Sequence, residues 1–108
     1  MINFQKALTL SLELSKKLLS SLEDIQMCCS LATSSEYLLN QDIRKIRDLV
    51  LMIEKTQTKN QVREIWNFYR DTIKNFGEYL GGTNRINISR LEEALWQSLL
   101  ELLSQSKD

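Results

Sequence analysis

The chain of 108 residues contains no proline, and its three glycines all lie between residues 77 and 82. Proline and glycine are the residues that most often interrupt regular structure. A chain with so few interruptions is predicted to form long helices, and its wealth of Leu, Ile, Glu, Lys and Gln with only two valines favours helix over strand. The length predicts a single domain over residues 1–108.

Apolar residues recur at spacings of three and four along four segments, residues 4–31, 36–55, 59–80 and 90–104. Such spacing places them on one face of a helix. Because the connections between the segments are short, we predict an all-α, antiparallel four-helix bundle. Its expected core is Phe4, Ala7, Leu8, Leu14, Leu18, Leu22, Ile25, Leu39, Ile43, Ile46, Leu49, Val50, Ile53, Val62, Ile65, Trp66, Tyr69, Ile73, Phe76, Leu80, Leu91, Ala94, Leu95, Leu99 and Leu102.

The first helix begins with the alternating stretch "LTLSLELS", which taken alone is a strand pattern. Its flanks have helical spacing, so we interpret the whole segment as a long helix with a wide apolar face. Ser20 with Glu23 forms a capping-box motif inside this segment. A single continuous helix and two helices broken near Ser20 therefore both remain open.

Three further capping boxes predict where the later helices start: Thr33 with Glu36, Thr58 with Gln61, and Ser89 with Glu92. Gly81 or Gly82 is expected to end the third helix, because glycine tolerates the left-handed conformation found there. The stretch "TNRINI" then becomes a loop. Gly77 would lie inside the third helix, at a cost of about 1 kcal/mol relative to alanine.

Groups that usually carry catalysis are missing. The sequence has no histidine, which removes the commonest general base and metal ligand. No Glu-x-x-Glu or Asp-x-x-Asp pair occurs, so no helix is expected to present a convergent carboxylate pair. We therefore expect no catalytic residues, no metal site, no cofactor and no enzyme activity.

The two cysteines, Cys28 and Cys29, are neighbours whose side chains point about 100° apart on a helix, so they are not expected to pair or to share a metal. We interpret one or both as small core residues in their reduced form. Reduced thiols favour a cytoplasmic location. The longest apolar run, residues 49–53, is too short for a membrane span, and no signal peptide is recognisable.

Charge argues against nucleic acid as a partner, since the formal net charge is zero. The third segment does carry a basic stripe of Lys59, Arg63, Arg70 and Lys74. Acidic residues lie beside it, so a solvated surface is the simpler interpretation, and RNA or DNA binding is the weaker alternative.

The fourth segment has more apolar residues than one core-facing stripe needs. Trp96, Leu100 and Leu103 lie on a second side, bordered by Glu93, Gln97 and Glu101. Surplus apolar surface of this kind often marks an interface, and Trp is frequent at binding hot spots. We predict a partner-binding patch here, with Asn84 and Arg85 as secondary candidates and completion of the core by Trp96 as the alternative.

The stretch "FGEYLGG…RLEEALWQSLLELL", with Phe76, Gly77, Gly81, Gly82 and residues 91–103, resembles small all-helical bacterial immunity proteins of contact-dependent growth inhibition systems. The resemblance implies a cytoplasmic protein that binds and neutralises one cognate toxin domain. Such toxins are often nucleases, whose basic clefts would suit an acidic patch. A self-associating helical adaptor, with a homodimer formed through Trp96 and the leucines of the first helix, is the alternative function.

Overall fold

The computed structural model describes residues 3–28, 30–73 and 76–106, and it confirms the all-α bundle. Its elements are α1 (Phe4–Cys28), α2 (Thr33–Lys55), a short 3-10 turn (Lys59–Gln61), α3 (Val62–Thr72) and α4 (Gly82–Gln105). The described residues include no strand. They also include no helix long and apolar enough to cross a membrane.

Helix α1 is continuous, which settles the question left open by the Ser20–Glu23 motif. Its 25 residues span about 37 Å at 1.5 Å per residue. The helix lies antiparallel to α2, because Glu23 pairs with Arg47 at 2.9 Å while Lys16, earlier in α1, lies 4.0 Å from Glu54, later in α2. The alternating leucines are thus helical, as predicted.

Helix α4 lies antiparallel to the other side of α1. The hydroxyls of Ser11 and Ser98 are 2.7 Å apart in the buried contact between the two helices. At the far end of the same contact, Ile25 of α1 and Ile88 of α4 line one cavity. Helix α1 is therefore the central element, with a long neighbour on each side.

Helix α3 is short, and the predicted third helix of residues 59–80 was too long. The Thr58–Gln61 capping box is confirmed, but it opens the 3-10 turn. Helix α3 ends at Thr72, and the backbone leaves helical geometry at Ile73. The β-branched side chains of these two residues make them weak helix formers. Residues 76–79 form a turn.

Helix α4 begins seven residues before the predicted start at Ser89. Gly81 occupies its N-cap position and Gly82 is its first residue, so neither glycine ends α3. The stretch predicted as a loop is helical, and the Ser89–Glu92 motif lies inside the helix. Packing of Ile88, which is 1% exposed, explains this early start, because burying it against α1 and the turn stabilises the first turns of α4.

Helix α2 also starts earlier than residue 36. Its first residue is Thr33 and its N-cap position is Ala32, without a side-chain hydrogen bond. The predicted capping box of Thr33 with Glu36 is therefore not formed. The backbone N–H of Glu36 donates to the carbonyl of Ala32 at 2.9 Å.

Most of the predicted core is buried in one cluster that all four helices share. Phe4, Leu14, Trp66 and Leu91 are only partly buried against it. One prediction fails, because Ala94 is exposed beside α1. Of the two cysteines, Cys28 is an exposed free thiol and does not belong to the core. Cys29 lies outside the described residues.

Candidate functional site

The predicted patch on α4 is divided between two sides of the helix. Glu93, Gln97 and Leu100 are exposed, and we call these three residues the outer face of α4. Leu103 is partly buried against the core. Trp96 and Leu103, seven residues apart, share the partly buried side of α4, whereas Leu100 lies on the exposed side.

Trp96 of α4 packs against two aromatic side chains of α3. Its ring centroid lies 4.8 Å from that of Trp66 and 5.6 Å from that of Tyr69. Tilted pairs at these separations add roughly 1 kcal/mol each to the burial of the rings. The alternative in which Trp96 completes the core therefore describes its contacts better than a wholly exposed hot spot, although the side chain is only partly buried.

The two secondary candidates also lie apart. Asn84 lines a cavity of about 250 Å³ that Asp24 and Cys28 of α1 share. Arg85 points towards the turn after α3, where its Nη1 donates to the carbonyl of Glu78 at 2.7 Å. Both lie two turns or more before Glu93, about 12 Å or more along the helix axis. They do not join the outer face of α4.

An apolar groove runs between α1 and α4, next to the outer face of α4. We call it the α1–α4 groove, and its volume is about 410 Å³. Leu10 is 38% exposed at this position, so the groove presents apolar surface to solvent. The lining residues are Ala7, Leu10, Leu14, Ala94, Gln97, Ser98 and Glu101.

The sequence carries signals for this groove, but they lie in two segments far apart along the chain. The strand-like alternation placed Leu10 and Leu14 on a widened apolar face of α1, and Gln97 was already a candidate on α4. What could not be predicted was the register of the two helices, which brings these residues together. The spacing of Ala94 fits that of the buried leucines and therefore predicts a core position, which the structure does not show.

A second cluster contains polar groups that sequence reasoning missed. Asp42 is only 6% exposed on α2, and its Oδ2 accepts hydrogen bonds from the Gly77 N–H at 3.2 Å and the Tyr79 hydroxyl at 2.9 Å. Lys45 lies 3.7 Å from its Oδ1. Burial raises the pKa of Asp42 above its ordinary value, although these three partners act to lower it. The carboxylate holds the turn against α2.

Glu92 of α4 belongs to the same region. Its pKa is raised, first by burial and then by the negative charge of Asp42. These two carboxylates come from different helices and are 50 positions apart, so no spacing within one helix could reveal them. Glu92 also lines a polar pocket of about 230 Å³ with Ser89 and Arg85. The described residues contain no group of three or more acidic or cysteine side chains that could hold a metal ion.

The basic stripe on the third segment is exposed where it is described. Lys59, Arg63 and Arg70 are all at the surface. Arg70 pairs with its neighbour Asp71 at 3.2 Å, so part of the positive charge is offset locally. Lys74 lies outside the described residues.

No family model, no curated protein and no solved structure matches this chain. Its function must therefore be inferred from its own residues and surfaces.

Proposed function

We propose that this chain is a non-enzymatic protein-binding module, which contacts its partner through the α1–α4 groove and the outer face of α4. One observation carries the proposal: Leu10 and Leu14 meet Ala94 in an open groove of about 410 Å³. Leu100, which is 36% exposed, adds an apolar side chain on the outer face of α4. Exposed apolar surface bordered by polar residues is typical of protein interfaces.

The resemblance to bacterial immunity proteins suggests the kind of partner. We propose that the chain neutralises a toxin domain, such as a nuclease, in the cytoplasm. Two acids, Glu93 and Glu101, border the apolar surface on α4, and no lysine or arginine occurs from residue 91 to residue 106. An acidic border would steer a basic toxin surface into contact and would raise the association rate more than the final affinity.

The hydrogen bonds of Asp42 give this buried acid a structural role, as expected in a binding protein. In the absence of histidine, Asp42 and Glu92 are the acids with the most unusual surroundings. The hydrogen bonds of Asp42 go to the turn at Gly77 and Tyr79. These contacts give Asp42 a structural task, which is to fasten the turn between α3 and α4.

The proposal can be tested with the protein encoded next to this chain in its native genome. Both proteins are produced together, and the complex is measured by size-exclusion chromatography and calorimetry. Leu100→Arg should weaken binding by at least about tenfold, because a charge replaces apolar contact area. Leu51→Arg is the matched control, since Leu51 is 50% exposed on α2, away from the groove. Equal loss with both variants, or no complex at all, would argue against the proposal.

Self-association is the second candidate, favoured by the exposure of Leu10 in the same groove. A second copy could bury this leucine across a two-fold axis. Light scattering of the isolated chain over a range of concentrations decides the matter. A strict monomer excludes the self-associating adaptor and leaves the heterologous partner.

A further inference from the structure

We infer that the α1–α4 groove receives one large apolar side chain from a helix of the partner, and that a lysine or arginine of that helix lies against Glu101. The inference rests on the proposed function and deepens it, because it states what the partner must present. Four features of the groove carry it: its shape, its floor, its acidic wall and its course along two antiparallel helices.

The shape of the groove suits a single bulky side chain. Ala7 and Ala94 have small side chains on opposite walls, while Leu10 and Leu14 provide apolar contact along α1. The volume is about 410 Å³. For scale, an apolar protein cavity of about 150 Å³ holds a benzene molecule. The groove therefore has room for a tryptophan, phenylalanine or leucine side chain with part of its backbone.

The floor of the groove offers no polar partner to the tip of that side chain. Ser98 is 5% exposed, and its hydroxyl is 2.7 Å from that of Ser11. The two hydroxyls satisfy each other across the helix contact. A polar group placed at this depth would lose its hydration without a ready replacement, which favours an apolar tip.

The rim of the groove sets the charge of the occupant. Glu101 and Gln97 lie on the α4 wall, and Glu101 Oε1 accepts a hydrogen bond from Gln105 at 3.1 Å. A carboxylate has acceptor capacity for several donors, so a cationic side chain can still bind it. Glu93 lies two helical turns away on the same side of α4 and adds to the negative charge.

The exposed side of α1 next to the groove differs in charge and so orients the partner. Lys6, Glu13 and Lys17 are exposed at spacings of seven and four, which places them along one side of α1. Their charges are mixed and slightly basic. A basic partner side chain is therefore drawn to the α4 wall, and the partner helix should lie with its basic side over Glu101.

A helix is the expected form of the bound segment. The groove lies between two antiparallel helices and follows their axes. The described residues offer no sheet edge to which an extended peptide could add a strand. Placement of an apolar anchor from an amphipathic helix into such a groove is a common mode of recognition.

The test uses the full chain and two synthetic amphipathic helical peptides. Both carry tryptophan and leucine on one face, and they differ only in having lysine or glutamate on the flanks. Dissociation constants come from fluorescence anisotropy, and the site comes from amide shifts of the ¹⁵N-labelled chain. The lysine peptide should bind at least about tenfold more tightly than the glutamate peptide and should shift the amides of Leu10, Ala94 and Gln97.

Three variants assign the contact. Ala94→Trp fills the groove and should weaken binding of the lysine peptide by at least about tenfold. Leu10→Ser makes the opposite wall polar and should weaken it in the same direction, which keeps the test informative if the first variant folds poorly. Glu101→Gln should reduce the preference for the lysine peptide. Leu51→Ser should change nothing.

Several results would overturn the inference. Equal affinity for the two peptides would contradict a basic side chain lying against Glu101. Unchanged binding by the Ala94→Trp variant would contradict the groove as the binding site. If the chain self-associates and Ala94→Trp abolishes this association, the occupant of the groove is a second copy of the chain. If the native partner still binds Ala94→Trp but not Leu100→Arg, the partner does not occupy the groove, while the proposed binding function stands. If no partner protein binds the chain at all, the proposed function itself fails.

Discussion

The hydroxyl of Tyr79 donates a 2.9 Å hydrogen bond to Oδ2 of Asp42, and this bond ties the turn after α3 to the middle of α2. The carboxylate is nearly fully buried and depends on such donors. We expect Tyr79→Phe to lower the free energy of unfolding by about 1–2 kcal/mol, because a hydrogen bond to a charged group is lost. Urea denaturation at neutral pH measures the change.

The control for this variant is Tyr37→Phe. Tyr37 is 62% exposed, and its hydroxyl takes part in a surface hydrogen bond with Gln41. Its removal should change stability by less than about 0.5 kcal/mol. If both variants change the free energy of unfolding equally, the hydrogen bond between Tyr79 and Asp42 does not stabilise the turn.

Gly77 should not tolerate a side chain. Its φ is +73°, and a β-carbon there would lie 3.1 Å from Cγ2 of Ile88. We expect Gly77→Ala to destabilise the fold by about 1–3 kcal/mol, from both backbone strain and crowding. Gly81→Ala is the matched control, since Gly81 has φ −125° and no heavy atom within 4 Å of its β-carbon position. Thermal unfolding of the two variants should separate them clearly, and similar midpoints would contradict the geometry at Gly77.

The buried hydroxyl pair of Ser11 and Ser98 should show coupling. Either alanine variant alone leaves the other hydroxyl buried without its partner, at a cost of about 1–2 kcal/mol. The double variant should cost less than the sum of the two, because no orphaned hydroxyl remains. A double-mutant cycle from urea denaturation gives the coupling energy, and simple additivity would show that the two hydroxyls do not depend on each other.

Trp96→Ala should report on packing against α3 as well as on binding. Loss of contacts with Trp66 and Tyr69 should lower the free energy of unfolding by about 2–4 kcal/mol. Leu100→Ala, on the exposed side of the same helix, should cost less than about 1 kcal/mol. If the two substitutions cost the same, Trp96 is not part of the packed α3–α4 contact.

Glu92 should make stability depend on pH. Its pKa is raised in the folded chain, so the folded state binds a proton more readily than the unfolded state does. Stability should therefore rise as the pH falls from neutral through the raised pKa, and this change should be complete below the ordinary value of about 4.5. Glu92→Gln should be more stable than the wild type at neutral pH, by less than about 1 kcal/mol because the site is partly solvated.

The control is the same comparison of the wild type with Glu92→Gln at low pH. Below the ordinary pKa of Glu92, the wild type and the Gln variant should have the same stability, since both carry a neutral side chain there. Chemical denaturation across the pH range gives the difference directly. An advantage of Glu92→Gln that persists at low pH would assign it to packing instead of charge.

Helix α2 shows how far the sequence could predict the fold. Its seam of Leu39, Ile43, Ile46 and Ile53 is buried as expected. Apolar residues that recur at helical spacing along a helix of 23 residues are compatible with few structures other than an amphipathic helix. The boundaries around α3 and α4 were wrong for a different reason. There the decisive interaction is tertiary: Ile88 is buried against α1 and Gly77, and no local pattern in "TNRINI" contains that information.

The candidate site shows the same limit. Spacing correctly placed Gln97 and Leu100 on exposed positions of α4, yet it could not pair α4 with Leu10. Spacing also does not predict that Asp42 lies near Glu92, because that proximity depends on how the rest of the bundle positions α2 and α4. Sequence periodicity determines which residues share a face, whereas the partner of each face is decided only by packing.

The pairing of α1 with α4 has a consequence for biosynthesis. Helix α1 leaves the ribosome well before α4, the helix that must cover it, and the Ser11–Ser98 contact spans 87 positions. Until translation reaches α4, the apolar flank of the nascent α1 has no permanent cover on that side. The newborn chain therefore passes through a stage in which chaperones, or neighbouring chains on the same messenger, can compete for that flank.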